Sequence, residues 1–441
     1  MLKDKKMKKY LAIDIGATSG RHIVDCGGEL NEVFRFETGF KRDEKGTLVC
    51  DVDKLFSNVK EGIKIAVEKF GKIESLAIDT WGVDYVLMRG DKEVLPCVSY
   101  RDERTLESTP KVHEIVPFEK LYEITGTQYQ PFNTVYQLYA DKLSGKLNGV
   151  TDFLMLPEYL NYKLTGVKKK EYTAASTTGL LCAKTRKFSG EIINALGLPQ
   201  NLFASPLGEP GETVGELLPE IAAETGSSAK VLLCASHDTA SAFEAVECGG
   251  DSVIISSGTW SIVGIKIPEP NTSKLAFKYN FSCEGGVGYI RFLKNVTGMW
   301  INVKLHEKFG KPFGEMTVLA QQSDYNETFD VNDPVFSAPD DMCGAITEWF
   351  TSRGKKPPVT DSDFYRTAYR SLALAYKNAI AEAEEVTGKT YKDVYIVGGG
   401  AKNAYLNKLT QEATGKTVNA LPIEATAIGN LTVQKRADKS L

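Results

Sequence analysis

No CxxC pair occurs in this 441-residue chain, whose eight cysteines are scattered at Cys26, Cys50, Cys97, Cys182, Cys234, Cys248, Cys283 and Cys343. That spacing argues against a zinc site or a disulfide framework; Cys234 and Cys248, in apolar surroundings, read as small buried hydrophobes in a reducing compartment, and no chemistry is assigned to cysteine. A basic excess is missing as well. The 53 Lys and Arg stand against 57 Asp and Glu, a formal net charge of -4 with a pI near 5.8, whereas a nucleic-acid binder usually carries a basic stripe. The short basic run Lys3 to Lys9 precedes an apolar stretch, Tyr10 to Ile15, that is broken by Asp14 and Gly16. Neither a signal peptide nor a membrane span is expected, and the cytoplasm is the expected location. The P-loop spacing and its lysine are absent, which disfavours a Walker-type NTPase.

What is present is ordinary globular composition, 42% hydrophobic and 25% charged, in a chain long enough for two cores. The pattern predicts a strand at Tyr10 to Ile15, a small-residue turn from Gly16 to Gly20, and a second strand from Arg21 to Asp25. The same pattern returns late: a strand at Ser252 to Ile255, the turn Ser256-Ser257-Gly258-Thr259, and a strand at Trp260 to Ile265. Two similar hairpins far apart suggest a duplicated architecture. Between them a helical pattern at Leu55 to Phe70 leads to a strand at Ile73 to Ile78 and the loop Asp79 to Asp84. Later the helical stretch Thr367 to Val386, closed by Gly388, leads to a strand at Val394 to Val397 and the run Gly398-Gly399-Gly400. Strands alternating with helices in both halves imply an α/β protein with ligands gathered at strand ends. The domain division is placed at Glu244/Ala245, giving 1–244 and 245–441.

Five segments can carry chemistry together. In Asp14 to Arg21 a carboxylate at a strand end can hold a hydrated Mg²⁺, small residues let backbone N–H groups approach phosphate, and Arg21 adds a fixed charge. Alone, this is equally a tight Gly/Ser hairpin. Ser256 to Thr259 offers a second set of small donors, and Gly398-Gly399-Gly400 lets a flat base or ribose lie against backbone, although a glycine triplet by itself is often only a turn. In Ser236-His237-Asp238-Thr239, Asp238 can accept a hydroxyl proton as oxygen attacks a γ-phosphorus, or can be no more than a helix N-cap. His237 reads as a substrate contact or a hydrogen-bonded core histidine. Trp81-Gly82-Val83-Asp84 offers an indole, a close backbone approach and an acceptor for a sugar, with Trp81 as core filler the alternative.

In this order, the paired hairpins, Asp238 and the late glycine run resemble the FGGY family of carbohydrate kinases over nearly the whole chain. The resemblance implies two actin-like, ribonuclease-H-like α/β domains with an interdomain cleft, and ATP and Mg²⁺ as cofactors. The segments Asp14 to Arg21, Asp79 to Asp84, His237 to Thr239, Ser256 to Ser261, Glu284 to Gly286 and Arg291 to Asn295 look most similar to members acting on L-rhamnulose. That implies transfer of the γ-phosphate of ATP to the 1-hydroxyl. By position, Asp238 would be the proton acceptor. Gly82, His237, Asp238, Thr239 and Asn295 would contact sugar, while Ala17, Thr18, Ser19, Gly20, Arg21, Thr259 and Gly400 would contact nucleotide. Asp14 would support the metal. Thr18 stands where serine is expected, Cys283 where asparagine is usual, and Val303 where a polar nucleotide contact is expected.

Two rivals share these features. One is a kinase for another ketose, such as L-fuculose or L-xylulose. The other is a non-catalytic sugar or nucleotide sensor, or an actin-like ATPase. A repressor-type sensor is expected to carry a DNA-binding helix-turn-helix, and only nine residues precede the first strand. Asp14 and Asp238 together favour catalysis, because a pure binder has little use for both a metal-positioning carboxylate and a base.

Overall fold

The structure is a computed structural model that describes residues 7–248, 250–337, 339–421 and 424–439. It divides into two compact units. The first comprises the residues through Ala245, Ile267–Arg291 and the residues from Thr426 on; the second comprises Val246–Lys266 and Phe292–Ala425. The division expected at Glu244/Ala245 thus falls one residue before the chain first leaves the first unit, and the chain re-enters that unit twice.

In the first unit, β1 (Lys9–Ile15), β2 (Ser19–Cys26) and β3 (Glu29–Glu37) form an antiparallel run. After α1 (Val52–Phe70), β4 (Ser75–Thr80) lies parallel to β1; β5 (Thr213–Glu216) and β6 (Lys230–Leu232) complete the order β5-β6-β4-β1-β2-β3. The sheet is covered on both faces, so its central strands run apolar without alternation from Tyr10 to Ile13 and from Leu76 to Ile78, up to an aspartate in each. Leu11, Ile13 and Ile15 of β1 pack in one core with Leu55, Val59 and Ile63 of α1, whereas Tyr10 and Ala12 pack with Ala427 and Leu431 near the chain's end. The helix α1 starts at the Asp51 cap, whose side chain accepts from the Lys54 N–H, and stops at Gly71 with φ 71°. β6 leads into the helix α2 (Asp238–Glu244).

The second unit repeats the plan. β7 (Ser252–Ser257) pairs antiparallel with β8 (Trp260–Ile267) and, with β9 (Ile290–Thr297), α3 (Asp361–Thr387) and β10 (Asp393–Val397) following, β10 lies parallel to β7. The helix α4 (Ala404–Thr414) and β11 (Thr417–Ala420) follow, and these strands lie in the order β9-β8-β7-β10-β11 within a six-stranded sheet. A hairpin joined to a parallel strand on the far side of its first member therefore occurs in both units. α3 carries a capping box between Thr360 and Asp363 and ends at Gly388 in the left-handed conformation. Ser256 and Ser257, expected in the turn, are paired strand residues opposite Ile262 and Ser261, so only Gly258, Thr259 and Trp260 lie beyond the last pair.

Candidate active site

The ends of β1 and β4 bring acids together. Register places Asp14 beside Asp79 on parallel strands, and both are buried. Arg21, opposite Asp14 across the hairpin, directs Nε and Nη2 to Asp14 Oδ2 at 2.8 and 2.7 Å. Burial nonetheless raises the Asp14 carboxyl above its ordinary range; Arg21 opposes the shift and the nearby Asp238 charge adds to it. Burial, and then Asp14 itself, raises Asp79 further, although Asn430 Nδ2 donates to Asp79 Oδ2 at 2.6 Å. Asp79 Oδ1 is buried without a partner. Crowded carboxylates with an orphaned oxygen fit a divalent cation, which would favour their ionised forms. Among the described residues no three acidic, histidine or cysteine side chains form a direct coordination set, so the fit is to an ion that keeps most of its water.

The first hairpin turn closes through the Gly16 N–H donating to Ser19 O at 3.0 Å, leaving Thr18 exposed and Ala17 and Ser19 half-buried. Gly20 packs against the Phe36 ring, which a Cβ there, at 2.2 Å, would displace.

The end of β4 also gathers the loop Trp81 to Asp84 and the segment before α2. Thr80 N–H donates to Ser236 O at 2.9 Å and Thr80 bridges to His237 in parallel fashion. Ser236 N–H reaches Glu171 Oε2 at 3.3 Å and His237 N–H reaches Thr173 Oγ1 at 3.2 Å. Burial pushes Glu171 up to about 7 against the hydrogen bonds that Thr173 and Ala174 give it. Gly82 faces His237 so closely that a Cβ would come 3.3 Å from Nε2 and 3.2 Å from Thr177 Oγ1. Trp81 is core: it packs edge-on against Phe40 and donates its indole N–H to Asp84 Oδ2 at 2.8 Å. Asp84 is fully buried with Oδ1 unpaired, and burial raises it to about 7 against the Trp81 bond and the Arg104 charge.

Asp238 is the first residue of α2, with His237 at the cap position. Its Oδ1 accepts from Thr239 N–H and Oγ1 at 2.5 and 3.1 Å and lies 3.5 Å from His237 Nε2. Oδ2 has no protein donor among the described residues, and the side chain is 30% exposed, enough for a small molecule to reach it. Asp238 occupies the first helical position and His237 the cap, so Asp238 is not the N-cap itself, although its Oδ1 serves the second-position N–H of Thr239 as a cap would.

Behind His237 lie two residues that fall in the resembling segments but were given no role from sequence. Arg291 is fully buried; its Nη2 lies 3.2 Å from His237 Nδ1 and 3.1 Å from Glu284 Oε2, and its Nε donates to Gly285 O at 2.7 Å. Burial by itself would raise the Glu284 carboxyl, but the Arg291 guanidinium beside it, the largest opposing influence, holds Glu284 at about 2. Charged residues flanking an apolar strand were the available signal; which histidine they serve was not.

In the second unit, Thr259 is exposed at the hairpin tip, where the carbonyls of Gly258 and Thr259 accept from Met299 and Trp300 N–H at 2.9 and 3.1 Å. The glycine run packs onto β7: Cβ atoms at Gly398 and Gly400 would fall 2.8 Å from Ser257 O and 2.0 Å from Ser257 Oγ. Asn295, half-buried on β9, also belongs to the second unit. Cys283 is structural, with its thiol donating to Asn271 O and accepting from Asn271 N–H, each at 3.3 Å. Val303 lies within the helix Trp300–Phe309.

Residues 9–243 match the N-terminal domain of the FGGY family of carbohydrate kinases, and residues 253–437 match its C-terminal domain. The chain belongs to the FGGY family of carbohydrate kinases. This kinase is 40% identical over 437 residues to a rhamnulokinase of Halalkalibacterium halodurans, covering 97% of this chain and 93% of that protein. It is 38% identical to a rhamnulokinase of Bacillus subtilis, covering 98% and 91%. Among solved structures the kinase resembles a xylulose kinase of Lactobacillus acidophilus (TM-score 0.83, 15% identity, 98% and 90% covered). A gluconate kinase of the same organism gives TM-score 0.82 and 16% identity with 98% and 90% covered. The two-domain α/β fold is therefore that of the actin-like sugar kinases. Among the described residues no helix of the kinase is long and apolar enough to cross a membrane.

Proposed function

We propose that this kinase phosphorylates L-rhamnulose on its 1-hydroxyl, giving L-rhamnulose 1-phosphate and ADP. What supports the substrate is the near full-length similarity to proteins named rhamnulokinase. The observation that carries the mechanism is the pairing of Asp238, with Oδ2 open to a ligand, and His237, whose Nε2 lies 3.5 Å from Oδ1. Asp238 accepts the proton of the attacking hydroxyl. The new bond forms between the sugar oxygen and Pγ, the bond from Pγ to the bridging oxygen breaks, and its electron pair leaves with ADP. Gly82, His237, Thr239 and Asn295 orient the sugar. Gly82 serves by lacking a side chain beside His237.

Ala17, Thr18, Ser19, Gly20 and Arg21 with Thr259 and Gly400 bind the nucleotide through backbone donors and hydroxyls. Arg21 acts through Asp14, to which Nε and Nη2 are tied. When bound, Mg²⁺ supplies charge neutralisation on the phosphates; Asp14, supported by Asp79, would hold its waters. The test is coupled ADP release with ATP, Mg²⁺ and a panel of L-rhamnulose, L-fuculose, L-xylulose, D-xylulose and glycerol. L-Rhamnulose should give the highest kcat/KM. A higher value for another sugar would move the substrate, and turnover of none would sink the L-rhamnulose reading and point to an untested sugar or a sensor.

A further inference from the structure

The ion pair behind His237 takes no part in the steps above, yet it determines what His237 can do. A guanidinium keeps all its protons in proteins and has no lone pair to offer. Arg291 Nη2, 3.2 Å from His237 Nδ1, can therefore only donate to it, which requires Nδ1 to be bare and leaves the ring proton on Nε2. The competing arrangement, a proton on Nδ1 directed at Glu284 Oε2, spans 3.4 Å, outside the usual range for a nitrogen donor, and sets an N–H against a cation. Arg291 itself is held from two other sides, by Glu284 at 3.1 Å and by the Gly285 carbonyl at 2.7 Å, in a place where it is 0% exposed.

We propose that Arg291, anchored by Glu284, is a positioning residue that holds His237 as a neutral donor with its proton on Nε2. The inference rests on reading His237 as a sugar contact. It then assigns opposite roles to neighbours: Asp238 takes a proton from the reacting hydroxyl, and His237 gives a hydrogen bond to an adjacent sugar oxygen. In a 1-hydroxy ketose the oxygen next to the reacting hydroxyl is the one on C2, an acceptor in either its carbonyl or its hydroxyl form. An Nδ1-protonated ring would present a bare Nε2 there and favour a sugar offering a donor only.

The chain has four histidines, His22, His113, His237 and His306, so ¹⁵N-histidine labelling gives a tractable NMR spectrum, and His237→Asn identifies the His237 signals by their loss. The expected wild-type result at neutral pH is a bare Nδ1 and a protonated Nε2. A protonated Nδ1, or a ring protonated at both nitrogens, would overturn the proposal without any variant. In Arg291→Met the proton should move to Nδ1, facing Glu284, and the sugar KM should rise about tenfold or more while the ATP KM holds. Should that variant not fold, Glu284→Gln leaves Arg291 as the donor and must keep the proton on Nε2; finding it on Nδ1 would also overturn the proposal. The spectrum needs no sugar, so failure to turn over L-rhamnulose would sink the substrate reading and leave the tautomer result to be judged alone.

Discussion

Replacing Asp238 by Asn removes a proton acceptor while disturbing little else. The Asn side-chain oxygen can keep the Thr239 N–H and Oγ1 bonds now made by Oδ1, and the amide group would occupy the position of Oδ2, where no protein donor is displaced. Fold and sugar binding should therefore survive. A positioned general base contributes about 10²- to 10⁴-fold, so kcat should fall by that factor, roughly 3 to 5 kcal/mol of transition-state stabilisation. The assay is coupled ADP release for kcat, with calorimetric titration of L-rhamnulose for binding. A loss of kcat below about tenfold, with binding intact, would refute Asp238 as the base. A large loss of sugar affinity with kcat preserved would reassign it to binding.

Gly82→Ala would place a methyl 3.2 to 3.3 Å from Thr177 Oγ1 and His237 Nε2, at a backbone position that does not demand glycine. Crowding of about 1 kcal/mol should raise the sugar KM several-fold and leave thermal stability and the ATP KM near wild type in steady-state and melting assays. Asp14→Asn should lower kcat by about ten- to a hundredfold and raise the Mg²⁺ concentration for half-maximal rate, while calorimetry finds sugar binding intact. Asp84 gives a pH signature. Its folded carboxyl lies at about 7 against an ordinary 3.8, so the native state holds a proton that the unfolded chain releases. Its stabilising contribution is complete below the unfolded pKa and is lost as pH rises through about 7. Asp84→Asn cannot suffer that loss, so its Tm relative to wild type should climb between about pH 5 and about pH 8; a flat difference would contradict the assignment.

Both hairpins, α1, α3 and the strand before the glycine run were legible because period, caps and turn residues are local signals. The Ser256-Ser257 part of the second turn was not. Small polar residues read as turn, yet both serines pair in the strand, and Ser257 Oγ and Ser261 Oγ lie 3.2 and 2.6 Å from the Tyr376 hydroxyl, more than a hundred residues away. Asp238 was visible as an acid beside a histidine, but its open Oδ2 depends on Thr239 and the turn into α2. Trp81 offered two readings from sequence; burial against Phe40 and the bond to Asp84 decide for core. The supports of the site lie far along the chain: Asn430 reaches Asp79, and Arg291 and Glu284 reach His237 after the chain has crossed into the second unit and returned. No local pattern encodes such returns.

The most direct measurement is the identity of the product. With L-rhamnulose, ATP and Mg²⁺, phosphorus-coupled NMR of the reaction mixture should show one new phosphate ester, on C1, formed in step with ADP. A phosphate on any other carbon, or ADP released without a sugar phosphate, would contradict the account.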